Sequence, residues 1–186
     1  MIRSQHAPTF LICAALLLVV GCGDAQSNAD NTPACAPSCQ NADLRRQDLT
    51  LANLGGANLA GANLAGANLA GANLDGGNLA GANLAGADLQ GARLHDSNLT
   101  DANLTGATLD GAELERANVT DAELTDAKLG SADLREADFT FADLSGANLD
   151  HADLSGADLT GATMSKESLS AALLTGTTMP DGTTHE

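Results

Sequence analysis

The chain has 186 residues and carries 24 acidic against 8 basic side chains, a formal net charge of −16. It contains no Trp and no Tyr. Such a surface repels phosphate backbones and anionic headgroups and offers no aromatic platform for bases, which argues against nucleic-acid binding.

At the N-terminus, Arg3 precedes an apolar run over residues 10–20, which ends in Val19-Val20-Gly21-Cys22. A charged start, an apolar stretch too short to span a bilayer and a small residue at the cut read as an export signal. The Val-Val-Gly-Cys quartet resembles a bacterial lipobox. That resemblance implies a lipoprotein signal peptide over residues 1–21 and a mature N-terminus at Cys22 that carries the lipid. It also implies an address at the bacterial cell envelope, anchored to the outer membrane rather than the inner and facing the periplasm or the cell surface. Loss of Arg3 takes the charge to −17. An ordinary signal peptide with an incidental Cys22 is the alternative.

Residues 22–41 are small and polar and read as the lipidated Cys followed by a tether. Cys35 and Cys39 lie beyond the export signal, where disulfides persist. A bridge between them, closing the bottom of the following domain, is expected. Two cysteines with no His pair nearby do not make a zinc set.

From Leu44 to Leu159 an apolar residue returns every fifth position through 24 units, as Leu except at Val119 and Phe139. Two before it stands Ala, except at Gln47, Gly77 and Ser97. On a straight α-helix such leucines would advance by about 140° each and form no stripe. On a flat strand they would alternate faces. The chain must therefore bend once per repeat, with Leu and Ala inward and a Gly-tolerant turn two residues after the Leu. The product is a solenoid of very short strands.

The run GANLAGANLAGANL at residues 56–69 resembles the pentapeptide repeat family, over about residues 42–181. The resemblance implies a right-handed four-sided parallel β-helix with four repeats per coil. About seven coils, spaced about 4.8 Å apart, make a rod on the order of 34 Å long. Residues twenty apart then stack. Asn58, Asn78, Asn98 and Asn118 fall in one column, either as an amide ladder or as solvated side chains. One side stacks charges: Arg93–Glu113–Asp133, Asp75–His95–Glu115–Arg135 and Asp96–Arg116–Glu136. A structural ladder is expected there ahead of a binding patch. Asp101 below Asp121 and Asp133 below Asp153 are stacked acids that could attract calcium.

After Met164 the repeat falters. Ser165 is placed to cap a short C-terminal helix, Pro180-Asp181-Gly182 reads as a turn that ends the rod, and residues 182–186 read as a tail. In some family members a terminal helix makes a dimer, and the resemblance implies that Leu173 and Leu174 could support a homodimer through the C-terminal end.

No nucleophile motif, phosphate-binding glycine loop or zinc-binding His pair occurs. No catalytic residue, metal or cofactor is assigned. The expected function is a non-catalytic, lipid-anchored rod serving as a structural or protein-interaction module, its protein partner unnamed. Two alternatives stand beside it. One is a DNA mimic that inhibits or protects DNA gyrase, because the repeat is similar to that of the quinolone-resistance pentapeptide proteins; the export signal argues against it. The other is a calcium- or glycan-binding surface module.

Overall fold

The computed structural model describes residues 31–165 and 167–186, so Cys22 and the apolar segment before it lie outside the described residues. A turn in every repeat resolves the five-residue period. In the repeat around Leu59, Ala62 donates its N–H to the Leu59 carbonyl at 2.9 Å, across Ala60 and Gly61. Gly61 has a φ of +65°. This is type II turn geometry, whose third residue must enter the left-handed region. Glycine does so without strain. Leu51, Asp101, Arg116 and Phe141 occupy the same place with φ between 57° and 60°. A left-handed conformation costs such residues about 1–2 kcal/mol each.

The remaining amides of the repeat are all bonded. Leu59 donates to Asn78 on the coil above at 2.7 Å, Gly61 to Ala80 above at 2.9 Å, and Asn58 to Pro37 below at 2.8 Å. The last amide, Ala60, donates to the side-chain Oδ1 of its own Asn58 at 3.2 Å. The same bond recurs from Thr100 to Asn98 at 3.1 Å, from Ser145 to Asp143 at 2.9 Å and from Thr160 to Asp158 at 2.8 Å. It accounts for the Asn or Asp before most of the leucines, since these side chains accept from the backbone two residues on. Five repeats carry Arg93, Thr108, Glu113, Glu123 and Lys128 there instead. After Arg93 and Lys128 the orphaned amides of His95 and Gly130 donate to Asp75 Oδ1 at 3.1 Å and Asp110 Oδ1 at 2.9 Å, one coil below. A Cβ on Gly130 would stand 2.7 Å from that oxygen, so glycine keeps the approach open.

Residues twenty apart pair in parallel from Ser38↔Asn58 to Asp158↔Thr178. Four repeats make one coil, and the stack is a right-handed four-sided parallel β-helix. Ser38 pairs with Asn58, and Cys39 occupies a buried inward position and donates its N–H to Asn58. The expected C-terminal helix is a single 3-10 turn, Glu167–Leu169, with the Ser168 N–H donated to Ser165 Oγ at 3.3 Å. Residues 182–186 are not a loose tail. Thr184 pairs antiparallel with Thr178, and the His185 N–H bonds the Thr177 carbonyl at 2.8 Å.

Leu and Ala fill the axis. Val119 and Phe139 are fully buried one above the other, the larger ring compensating the smaller side chain. Ser97 and Thr177 take Ala positions on the same side. Thr177 donates its hydroxyl to the Leu154 carbonyl at 2.7 Å, whereas Ser97 Oγ is buried with no partner among the described residues. Leaving such a group unbonded costs about 1–3 kcal/mol. Ser97→Ala should therefore stabilise the chain by about 1 kcal/mol or more. Thermal melts of the two chains check this, and a lower melting temperature in the variant would contradict the dry, unsatisfied hydroxyl.

Candidate functional site

The leucines at 74, 94, 114 and 134 stack on one side of the rod, and the outward residues around them carry a connected set of charges. Arg93 pairs with Asp75 through Nη2 and lies 3.9 Å from Glu113. His95 Nε2 is 2.8 Å from Glu113 Oε2, and its Nδ1 is 3.9 Å from Glu115. Arg116 forks onto Asp96 with Nε at 2.8 Å and Nη2 at 3.0 Å, and reaches Glu115 with Nη1. Arg135 holds Asp133 at 2.6 Å and Glu115 at 3.3 Å.

Two of the expected vertical stacks are altered. Asp96–Arg116 forms, but Glu136 makes no ion pair among the described residues; Arg116 has committed its three nitrogens to Asp96 and Glu115. Glu136 instead lies over Gly156, its Cγ 3.4 Å from where a Cβ would stand. In Arg93–Glu113–Asp133, Arg93 keeps a 3.9 Å contact with Glu113 but adds a diagonal to Asp75, His95 reaches diagonally to Glu113, and Glu113 and Asp133 stay on neighbouring rungs. In the amide column, Asn78 donates to Asn58 and Asn98 to Asn78, each at 3.4 Å, while Asn118 accepts the Thr120 amide.

The guanidinium contacts set the local charge states. Hydrogen bonding from Arg116 holds the Asp96 carboxyl below the ordinary range. Arg135 does the same to Asp133 against the opposing effect of partial burial. At the base, Arg45 lowers the pKa of Asp43 to about 2.

The corner where the next two sides meet stacks Asp101, Asp121 and Phe141. Phe141 is 62% exposed and lays its ring edge over Gly161, where a Cβ would be 2.5 Å from Cδ1. Leu51, 74% exposed, lies over Gly71 in the same way on a different corner.

The two ends differ. At the base Cys35 and Cys39 are joined in a disulfide, and Asn31 Nδ2 donates to the Thr50 carbonyl at 3.0 Å. At the top, the inward residues of the last coil, Met164, Leu169, Leu174 and Met179, line a cavity of about 490 Å³ together with Asp181 and His185. Leu173 faces outward on the rung with Asp153 and is 58% exposed, so the two adjacent leucines point in different directions. Among the described residues, no group of three or more His, Cys, Asp or Glu side chains is placed to hold a metal ion.

The family model for pentapeptide repeats matches residues 38–76, 62–101, 97–135 and 137–176. The chain belongs to the pentapeptide repeat family. Among solved structures it is similar to HetL, a pentapeptide repeat protein involved in heterocyst differentiation regulation from the cyanobacterium Nostoc. The identity is 33% over 80% of this chain and 78% of that one, with a TM-score of 0.39. A pentapeptide repeat protein from the Arabidopsis thaliana thylakoid lumen shares 34% identity over 57% of this chain and 70% of its own, with a TM-score of 0.47. A trypsin-treated variant of QnrB1, a plasmid-mediated fluoroquinolone resistance protein, shares 20% identity over 76% and 74%, with a TM-score of 0.46. No curated protein sequence matches the chain.

The lowered carboxyl pKa values fix a pH dependence. The stabilisation they bring is complete above the unfolded Asp value of about 4 and is lost as pH falls through the lower folded values. For Asp43 that loss extends to about pH 2. Melting temperature should fall across this window. Arg116→Glu, which removes the fork onto Asp96, should melt lower than the parent at neutral pH and low salt. The gap should narrow in about 1 M salt, where the screening length is about 3 Å. Equal melting temperatures at low salt would show that the charged side contributes no stability.

Proposed function

We propose that the chain is a non-catalytic, lipid-anchored rod that serves as a structural or protein-interaction module at the bacterial envelope. The observation that carries this reading is the filled axis. The inward leucines from Leu44 to Leu159 are at most 1% exposed. Recognition is left to the outer surface, where Asn, Asp and Thr side chains are held by their own backbone. The anchor is supported by the Val19-Val20-Gly21-Cys22 quartet. In this reading the disulfide-closed base faces the lipid, and the apolar mouth and the Phe141 corner stand away from it.

Cells expressing the full chain and fed radiolabelled palmitate provide the test. Label is expected on the parent chain and absent from Cys22→Ser, and globomycin should leave a larger, unprocessed form. An unlabelled parent chain in the cytosolic fraction would overturn the anchor. The alternative of a DNA-mimic rod would then take its place, to be decided by a gyrase supercoiling assay.

A further inference from the structure

Among the described residues there are two phenylalanine rings, Phe139 in the core and Phe141 at the surface. The described charged side chains around Phe141 are of one sign. Asp121 and Asp101 lie one and two rungs below it on the corner. Asp138 and Asp143 flank it on the same coil. Asp158 stands one rung above Asp138, and Glu123 one rung below Asp143. Rungs are about 4.8 Å apart. Residues 98–105, 118–125, 138–145 and 158–165 form this corner and the sides that meet in it, and they contain no Lys or Arg. On the charged side, by contrast, Asp96, Glu115 and Asp133 each meet an arginine. Among the described residues, the carboxylates around Phe141 receive only neutral donors, such as the Ser145 amide on Asp143 and the Thr160 amide on Asp158.

We propose that the Phe141 corner is a docking site for an arginine-bearing segment of a basic protein partner. The face of an aromatic ring attracts a cation through its quadrupole. A guanidinium is planar, is weakly hydrated, and can stack on the ring while its N–H groups pair with carboxylates on either side. A second copy of this chain is a poor occupant, since it would bring the same sign of charge to the corner. The proposal rests on reading the chain as an interaction module but not on its lipid, so failure of the palmitate experiment leaves it standing.

The position also supplies a clean variant. Phe141 holds a left-handed φ of 60°, which glycine adopts freely, so Phe141→Gly removes the ring without straining the turn. The test uses the full-length chain in detergent and a fluorescein-labelled nona-arginine peptide, followed by anisotropy at physiological salt. The parent is expected to bind. Phe141→Gly should bind about tenfold more weakly with its melting temperature retained. Phe141→Leu, which keeps apolar bulk but loses the ring, should also weaken binding several-fold. Asp121→Asn combined with Asp143→Asn should weaken it too, and Leu51→Gly should not. The proposal is overturned if the parent fails to bind, if Phe141→Gly and Phe141→Leu bind as tightly as the parent, or if Leu51→Gly weakens binding equally. The last two outcomes would mean that the peptide only settles on a generally acidic surface.

Discussion

The rod depends on one recurring hydrogen bond, from the amide after most of the leucines to the side-chain oxygen of the Asn or Asp before them. A chain that turns a corner every five residues has five amides to satisfy per repeat. The coils above and below take three and the turn takes one. The side-chain oxygen takes the fifth, as Asn58 does for Ala60. With that bond made, every amide of a stacked five-residue unit has a partner. The bond also commits the outward Asn or Asp before the Leu to the architecture.

This commitment shows why two departures from the repeat, Arg93 and Lys128, are matched by an Asp one coil below. Arg93 cannot serve the His95 amide, so Asp75 one coil below does so with Oδ1, and its Oδ2 takes the guanidinium of Arg93 itself. Lys128 cannot serve Gly130, and Asp110 does. At the two basic positions before a Leu, Arg93 and Lys128, the amide two residues on is served by an Asp one coil below. One such compensation, Asp75 with Arg93, lies on the charged side; at the Phe141 corner Asp138, Asp143 and Asp158 keep their backbone bonds, and no cation pairs with them among the described residues.

The inward residues were legible because direction follows from period: once the chain must bend every five residues, Leu and Ala have only one way to face. The twenty-residue register likewise placed Asp96 beside Arg116 and Glu115 beside Arg135. Side chains longer than one rung escaped it. Arg93 and His95 reach diagonally, while Arg45 and Arg135 turn back onto acids two residues away on their own strands. The role of the Asn and Asp before most of the leucines was visible in principle as a fixed offset ahead of a turn, but outward polarity alone does not separate a backbone acceptor from a solvated side chain. Cys39, five before Leu44, was legible as an inward position in phase with the leucines, and it is buried. The corner side chains that lie over a glycine one coil up, Leu51 on Gly71 and Phe141 on Gly161, depend on a void that only the folded stack defines.

Amide hydrogen exchange at Gly130 tests the hydrogen-bond account most directly, because its acceptor lies twenty residues away in sequence. In Asp110→Ala the Gly130 amide should exchange faster while the Leu129 amide, bonded to Asn148 at 2.8 Å, stays protected. In Asp110→Asn, which keeps an oxygen in place, Gly130 should stay protected. An unchanged Gly130 exchange rate in Asp110→Ala would contradict the claim that these side chains complete the backbone of the rod.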